Sequence, residues 1–350
     1  MKGIVIALDQ IAGRDAAALI VDGVLQDFAI DPADDAPPQA GAVFRAVADR
    51  QMKGQGGVFL KLPGGDSAFL KQAGGIAPGQ RLLVQVTGHA EPGKAVPVTL
   101  RLLFKSRYAI VTPDAPGLNI SRRIRVEGRR VALEALARVA MAGADETLGL
   151  ILRSACLAEP DGIIAQDASL MRDLAARVLA DLNGGPELLL DAPGAQELAW
   201  RDWVDPAPDE VADRKGAFRD LGVLELLDAL RHPVVALGNG ASMALEPTRA
   251  LVAVDVNTGA DTSPAAALKA NLAAARDLPR QLKLRGLGGQ VVVDFAPMPK
   301  KDRAILDQSL KAAFRHDGAE TTLAGWTLLG NYELQRKRDR MPLIQSLPKD

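Results

Sequence analysis

The stretches ALVAVDVNTG (residues 250–259) and GGQVVVDF (residues 288–295) are the most informative part of this sequence, because each contains a short apolar run that ends on an aspartate. β-Branched residues bounded by glycine predict buried strands. An unpaired carboxylate is costly to bury, so we expect Asp255 and Asp294 at strand ends, facing a positive group. The segment between the strands has helical character. This order predicts a parallel βαβ unit with both aspartates at one edge.

Asn257 lies two residues after Asp255, so both side chains point to the same face of the strand. Two carboxylates and an amide form an oxygen-only site that suits Mg²⁺, with Mn²⁺ as the alternative ion. The alternative interpretation is that Asp255 caps a turn and Asp294 caps the following helix, without a metal.

The bulk composition is that of a globular protein of two or three domains, with 350 residues, 48% hydrophobic and 24% charged. A single cysteine, Cys156, excludes an internal disulfide and a multi-cysteine zinc site, and it lies in an apolar run typical of core. We expect no signal peptide and no membrane segment, which together favour the cytoplasm. The net charge of −1 does not by itself indicate a nucleic-acid partner.

The order of strand and helix patterns suggests several domains. Three strands are predicted in the first 30 residues, followed by a Pro/Asp-rich boundary at residues 31–41. Short glycine-punctuated strands then predict a small OB-type barrel. Pro279 is expected to kink or interrupt the long helix that follows Asp255. Helices are predicted at residues 168–182, 221–233, 265–285 and 302–315, and a loop at residues 202–214.

Three motifs closely resemble the catalytic segment of the ribonuclease E/G family. They are EPTRALVAVDVNTG (residues 246–259), NLAAARDLPRQLKLRGLGGQVVVDF (residues 271–295) and GNYELQRKR (residues 330–338). The similarity extends over nearly the whole chain at lower density.

The resemblance implies an α+β protein of several subdomains. A ribonuclease-H-like subdomain would carry an inserted OB-fold barrel and a 5′-sensor region, and a deoxyribonuclease-I-like α/β catalytic subdomain would follow. The implied boundaries are 1–40 and 186–237 for the two ribonuclease-H-like parts, 41–113 for the barrel, 114–185 for the sensor and 238–350 for the catalytic subdomain.

The resemblance also implies a metal-dependent endoribonuclease that cleaves single-stranded RNA and leaves 5′-phosphate and 3′-hydroxyl ends. Asp255 and Asp294 would hold the metal, and Asn257 would orient Asp255 or the scissile phosphate. The implied RNA-binding residues are Phe59, Phe69, Lys94, Arg336 and Arg338; barrel core is the alternative role for each phenylalanine. The implied pocket for a 5′-monophosphate is formed by Arg153, Ser154, Ser106 and Ile110.

The sequence departs from the family pattern in three places. The CPxCxGxG zinc-link and the small C-terminal domain of the family are not found in this sequence. The region of residues 159–231 is shorter than the corresponding region of the family. No zinc is therefore expected, and the homo-oligomeric state is left open. A non-catalytic RNA-binding protein of the same family is the alternative function, and a DNA-directed nuclease is a third.

Overall fold

A computed structural model describes residues 2–52, 56–71, 74–91 and 93–348 of this mixed α+β chain. The chain divides into two compact units. Unit 1 comprises Met1–Ile6, Arg14–Leu19 and Ala29–Ala212, and unit 2 comprises Ala7–Gly13, Ile20–Phe28 and Asp213–Asp350. Among the described residues, no helix combines the length and apolarity needed to cross a membrane.

The first three strands form where the sequence predicts them, as β1 (Ile4–Ile11), β2 (Arg14–Val21) and β3 (Val24–Ile30). Two-residue turns join them, Ala12-Gly13 and Asp22-Gly23, and all four turn residues have positive φ. This is the type I′ geometry, whose twist matches that of the flanking strands.

A closed five-stranded barrel follows, which confirms the OB-type prediction. Its strands are β4 (Val43–Met52), β5 (Gly57–Lys61), β6 (Ser67–Leu70), β7 (Arg81–Val86) and β8 (Val96–Thr99). They pair in the order β4-β5-β6-β8-β7, and the pairing of β4 with β7 closes the barrel. Strand β8 was not predicted, because it is short and contains Pro97. Residues 53–55, 72–73 and 92 of the predicted barrel range lie outside the described residues.

The next region packs a four-stranded sheet against two helices. Its elements are β9 (Phe104–Lys105), β10 (Ala109–Thr112), β11 (Gly117–Ile120), α1 (Glu127–Ala140), β12 (Gly149–Leu152) and α2 (Asp161–Ala180), with sheet order β11-β12-β10-β9. Helix α2 begins seven residues before the predicted Ala168. Pro160 and Asp161 are favourable start residues, but Gly162 obscures the helical pattern behind them.

Strand β13 (Glu187–Leu190) returns to the barrel and pairs antiparallel with β4. The contact is reinforced by Arg45 of β4, whose side chain is only 4% exposed. Arg45 forms ion pairs with Asp181 and Glu187 and donates to the Gly185 carbonyl at 2.8 Å. A buried cation is stable only with such partners, so β13 and the end of α2 complete this side of the barrel.

Between residues 195 and 233 the structure confirms one predicted helix, in shorter form, and adds elements that were not predicted. Helix α3 (Ala195–Asp202) was not predicted, and the loop predicted at residues 202–214 contains β14 (Glu210–Asp213). The predicted helix at residues 221–233 is α5 (Val223–Ala229), which is preceded by α4 (Ala217–Asp220). Gly222, with φ of +70°, separates the two helices. Strand β14 adds to the first sheet in the order β14-β1-β2-β3.

A six-stranded sheet forms the centre of unit 2. Its elements in chain order are β15 (Val234–Gly238), β16 (Ala241–Pro247), β17 (Val252–Asn257), α6 (Pro264–Leu284), β18 (Gly289–Asp294), α7 (Arg303–Arg315), β19 (Thr321–Trp326), β20 (Tyr332–Arg336) and α8 (Leu343–Ser346). The order is β15-β16-β17-β18-β20-β19, and β17 and β18 are parallel, which confirms the predicted βαβ unit.

Helix α6 runs for 21 residues through Pro279, so the expected interruption does not occur. A proline removes one backbone hydrogen bond, and here it lies buried between the core residues Leu278 and Leu282. Burial of that face offsets the lost bond, because tertiary packing supplies most of the stability of a helix.

Candidate functional site

Asp255 and Asp294 lie side by side at the carboxyl ends of β17 and β18, where they are register partners. Neighbouring strands are about 4.8 Å apart, so two such carboxylates can reach one cation. Val254 and Val256 are buried on the opposite face of β17, where they pack into the core with α6 and α7. The alternation of the strand therefore directs both aspartates to the exposed face.

Asn257 also lies on this exposed face, and its Nδ2 donates to Oδ2 of Asp255 at 2.6 Å. Because one oxygen of Asp255 is held, the orientation of the carboxylate is set before any ligand arrives. The structure therefore brings together all three residues that the sequence predicts here.

A residue that sequence reasoning missed supports this edge from below. Asn271 of α6 is fully buried and makes two bonds with the backbone of Ala296, donating to its carbonyl and accepting from its amide, both at 2.9 Å. Ala296 lies two residues after Asp294, so Asn271 fixes the path of the chain where β18 ends. The available signal was one amide among the buried alanines in the first half of α6.

The chemistry of this edge fits a hard divalent cation with few protein ligands. In the part of the chain that the structure describes, His, Cys, Asp and Glu form no group of three or more that could hold a metal. Two carboxylates are enough for Mg²⁺, which usually keeps several water molecules and binds through one or two carboxylates together with substrate phosphates.

The two predicted arginines near the C-terminus differ sharply. Arg336 is 2% exposed, and its Nε and Nη2 each lie 3.1 Å from a carboxylate oxygen of Asp317, whose side chain is 1% exposed. Its guanidinium also donates to the Leu287 carbonyl at 3.3 Å. Arg336 therefore stabilises unit 2 and is not available at the surface.

Arg338 is half-buried, with its guanidinium over the backbone of Gly289, where any Cβ would collide with it. Glycine at this position allows a cation to lie directly against β18. Of the two predicted arginines, Arg338 is therefore the more exposed.

Phe59 and Phe69 lie outside the barrel core. They are register partners on β5 and β6, and their ring centroids are 5.2 Å apart. Their strand neighbours, such as Val58 and Leu60, fill the interior instead. Arg50, which sequence reasoning missed, lies 4.9 Å above the Phe59 ring. These three side chains form one outer patch of aromatic faces and a cation.

Gly57 makes room for this patch, since a Cβ there would collide with the Phe69 ring. Lys94 lies exposed in the chain before β8 and forms an ion pair with Glu91.

Arg153 and Ser106 lie together in unit 1. Nη1 of Arg153 donates to the carbonyls of Ser106 at 2.5 Å and Arg201 at 3.0 Å, and its Nη2 lies 2.6 Å from a carboxylate oxygen of Asp202. The Ser106 hydroxyl donates to Asp167 of α2.

Ser154 extends the cluster. Its hydroxyl donates to Asp205, and Nη1 of Arg123 lies 3.3 Å from the Ser154 hydroxyl and 3.2 Å from Asp205. Ile110 lies on β10 as the register partner of Ile151, half-buried. Sequence reasoning missed Arg123, Asp202 and Asp205, because the acidic stretch that follows α3 reads only as a loop.

Burial raises the pKa of Asp202, but hydrogen bonds and charge from Arg201 and Arg153 outweigh it, so the net pKa lies below its usual range. Burial raises the pKa of the nearby Cys156 thiol to about 12, which excludes a reactive thiolate at neutral pH.

Comparison with known proteins agrees with these motifs. The model of the Ribonuclease E/G family matches residues 104–213 and 208–339. Ribonuclease E of Nostoc sp. is 30% identical over 303 residues, covering 75% of this chain and 44% of the relative. Ribonuclease E of Synechocystis sp. is 28% identical, covering 91% of this chain and 53% of the relative. Ribonuclease G of Escherichia coli is 28% identical, covering 76% and 61%.

The chain spans about half the length of these relatives. The family model nevertheless covers well over half of the chain, and its matched range includes both strands that end on Asp255 and Asp294. This chain therefore belongs to the ribonuclease E/G family.

Proposed function

We propose that this protein is a Mg²⁺-dependent endoribonuclease that cleaves single-stranded RNA in RNA processing and decay. The observation that carries the proposal is the register of β17 and β18, which sets Asp255 beside Asp294 on an exposed edge. Two adjacent carboxylates repel each other and the phosphates of RNA, so this arrangement is favourable only when a cation completes it.

Asp255 and Asp294 would hold the Mg²⁺, with Mn²⁺ as the alternative ion. When bound, a divalent cation lowers the pKa of water and neutralises charge that develops on a phosphoryl oxygen. Asn257 holds Asp255 in orientation through its 2.6 Å bond. In-line attack by water would leave a 5′-phosphate and a 3′-hydroxyl.

The outer patch of the barrel is proposed to bind the unpaired bases of the substrate. Phe59 and Phe69 offer ring faces on which any base can stack, whatever the sequence, and Arg50 adds a cation. Lys94 and Arg338 would contact phosphates. The burial of Arg336 removes it from this proposed set.

The cluster of Arg153, Ser154, Ser106 and Ile110 is proposed as the region that faces the RNA 5′ end. A guanidinium and a hydroxyl suit a terminal phosphate dianion.

We also propose the subdomain arrangement of the family: ribonuclease-H-like parts at 1–40 and 186–237, an OB-fold barrel, a 5′-sensor region and a deoxyribonuclease-I-like subdomain at 238–350. We place the boundary between barrel and sensor after β8 rather than at residue 113, because β9 and β10 belong to the sheet of β11 and β12.

The decisive test is Asp294→Asn, which keeps the shape of the side chain and removes its charge. We expect cleavage of a labelled single-stranded oligoribonucleotide in Mg²⁺ to fall at least about a hundredfold, while binding of the same RNA persists. EDTA should abolish wild-type cleavage. Metal-dependent cleavage that survives in the variant would exclude this site, and RNA binding without cleavage by the wild type would indicate a non-catalytic RNA-binding protein.

A further inference from the structure

We propose that Asp202 and Asp205 weaken the recognition of an RNA 5′-phosphate. They bind the Arg153 guanidinium and the Ser154 hydroxyl, which would otherwise receive the terminal phosphate. The inference rests on the proposed function of the cluster around Arg153. It adds that the chain supplies its own anions there, so that recognition of a 5′-phosphate is suppressed.

The contacts of Arg153 are the first support. Its Nη2 lies 2.6 Å from Oδ1 of Asp202, and its Nη1 donates to the carbonyls of Ser106 and Arg201. Both terminal nitrogens of the guanidinium are therefore engaged within the chain. A phosphate would have to replace a charge-assisted bond, not merely water.

The second support is independent of Arg153. Asp205 accepts from the Ser154 hydroxyl, and Nη1 of Arg123 lies 3.2 Å from the same carboxylate oxygen. One carboxylate thus accepts both a hydroxyl and a guanidinium, which is the contact set that a phosphate oxygen makes.

The two carboxylates are held in place by the chain between them. Trp203 and Val204 are 7% and 6% exposed, so burial anchors the link that joins Asp202 to Asp205. Asp202 also ends α3 and lies 2.8 Å from Nη2 of Arg201. A tethered anion competes at high effective concentration, which a dilute 5′-phosphate can overcome only with a much stronger set of contacts.

These contacts predict that the wild type does not distinguish RNA 5′ ends. The test uses one 3′-fluorescein-labelled single-stranded oligoribonucleotide, made with a 5′-monophosphate or a 5′-hydroxyl. Affinity is measured by fluorescence anisotropy in EDTA and cleavage in Mg²⁺. The proteins are the wild type, Asp202→Asn/Asp205→Asn and the same double variant with Arg153→Ala. Asp161→Asn is the matched control, because it makes the same change at the Arg129–Asp161 pair, 2.5 Å apart.

We expect the wild type and the control to bind both RNAs within about twofold, and the double variant to prefer the monophosphate by about tenfold, the effect of one charge-assisted bond. Addition of Arg153→Ala should remove most of that preference. A tenfold preference in the wild type, or none in a folded double variant, overturns the inference.

Asp205→Asn alone serves if the double variant unfolds, as judged by circular dichroism, since it frees Ser154 and Arg123 without touching the end of α3. The anisotropy ratio decides the inference even if no protein cleaves RNA, a result that would instead refute the proposed nuclease activity.

Discussion

Two regions differ in how their carboxylates are paired: the edge formed by Asp255 and Asp294, and the cluster around Arg153. At the edge, within the described part of the chain, neither aspartate forms an ion pair, and the polar partner of Asp255 is an amide. In the cluster, Arg153 faces Asp202 and Arg123 faces Asp205. A charged side chain without an ion-pair partner in the fold indicates a place for a ligand. A charged side chain that is already ion-paired stabilises the fold or competes with a ligand.

The strongest test of this comparison is Arg336→Ala, which removes half of a fully buried ion pair. It should lower the free energy of unfolding by about 3–5 kcal/mol, because Asp317 would be left buried without its partner. Urea denaturation measures the change. Arg338→Ala is the control: Arg338 is less buried than Arg336, so its loss should cost clearly less stability while weakening RNA binding. Equal stability of the two variants would contradict the role given to Arg336.

Asn271→Ala tests whether the edge formed by Asp255 and Asp294 depends on the hydrogen bonds between Asn271 and Ala296. Loss of both bonds to Ala296 should lower the free energy of unfolding by about 2 kcal/mol, since buried backbone groups lose their partners. We also expect kcat to fall while KM for RNA is kept, because the position of Asp294 changes but the binding surface does not. An unchanged kcat in a folded variant would remove Asn271 from the supporting role.

Phe59→Ala tests the outer patch of the barrel. RNA affinity should fall by about tenfold, the loss of one stacked base, while the melting temperature is nearly kept because Phe59 lies outside the core. Leu60→Ala, at the buried neighbour, should do the reverse. A marked loss of stability in Phe59→Ala would assign the ring to packing.

The smallest expected effect concerns pH. Burial raises the pKa of Asp202, but the hydrogen bonds and charges of Arg201 and Arg153 lower it by more. The net pKa is therefore below the usual 3.8. A depressed folded pKa means that the Asp202 contacts are fully present above the unfolded pKa and are lost only as pH falls through the lower value. The affinity ratio for the two 5′ ends should therefore stay flat from about pH 8 to about pH 5. A ratio that rises on acidification within that window would show that the carboxylate is released earlier.

Much of unit 2 can be predicted from sequence because its signals are local. The valine-rich runs that end on Asp255 and Asp294, with one long helix between them, specify a parallel pair and its edge. The alternating barrel strands are local signals of the same kind.

The missed features depend on contacts between residues far apart in the chain. Asp202 and Asp205 acquire meaning only when Arg153 and Arg123, some 50 to 80 residues earlier, lie beside them. The burial of Arg336 likewise depends on Asp317, and strand β14 forms where it pairs with β1, about 200 residues earlier in the chain. Local propensity carries no information about such partners.

The pairing of β13 with β4 constrains how this protein can be dissected. A fragment of residues 43–99 would contain every strand of the barrel, yet it would lack β13 and the carboxylates of Asp181 and Glu187. Arg45 would then lose the counter-charges that allow its burial. A fragment that extends through Leu190 keeps both carboxylates, so we expect it to be the more stable of the two fragments.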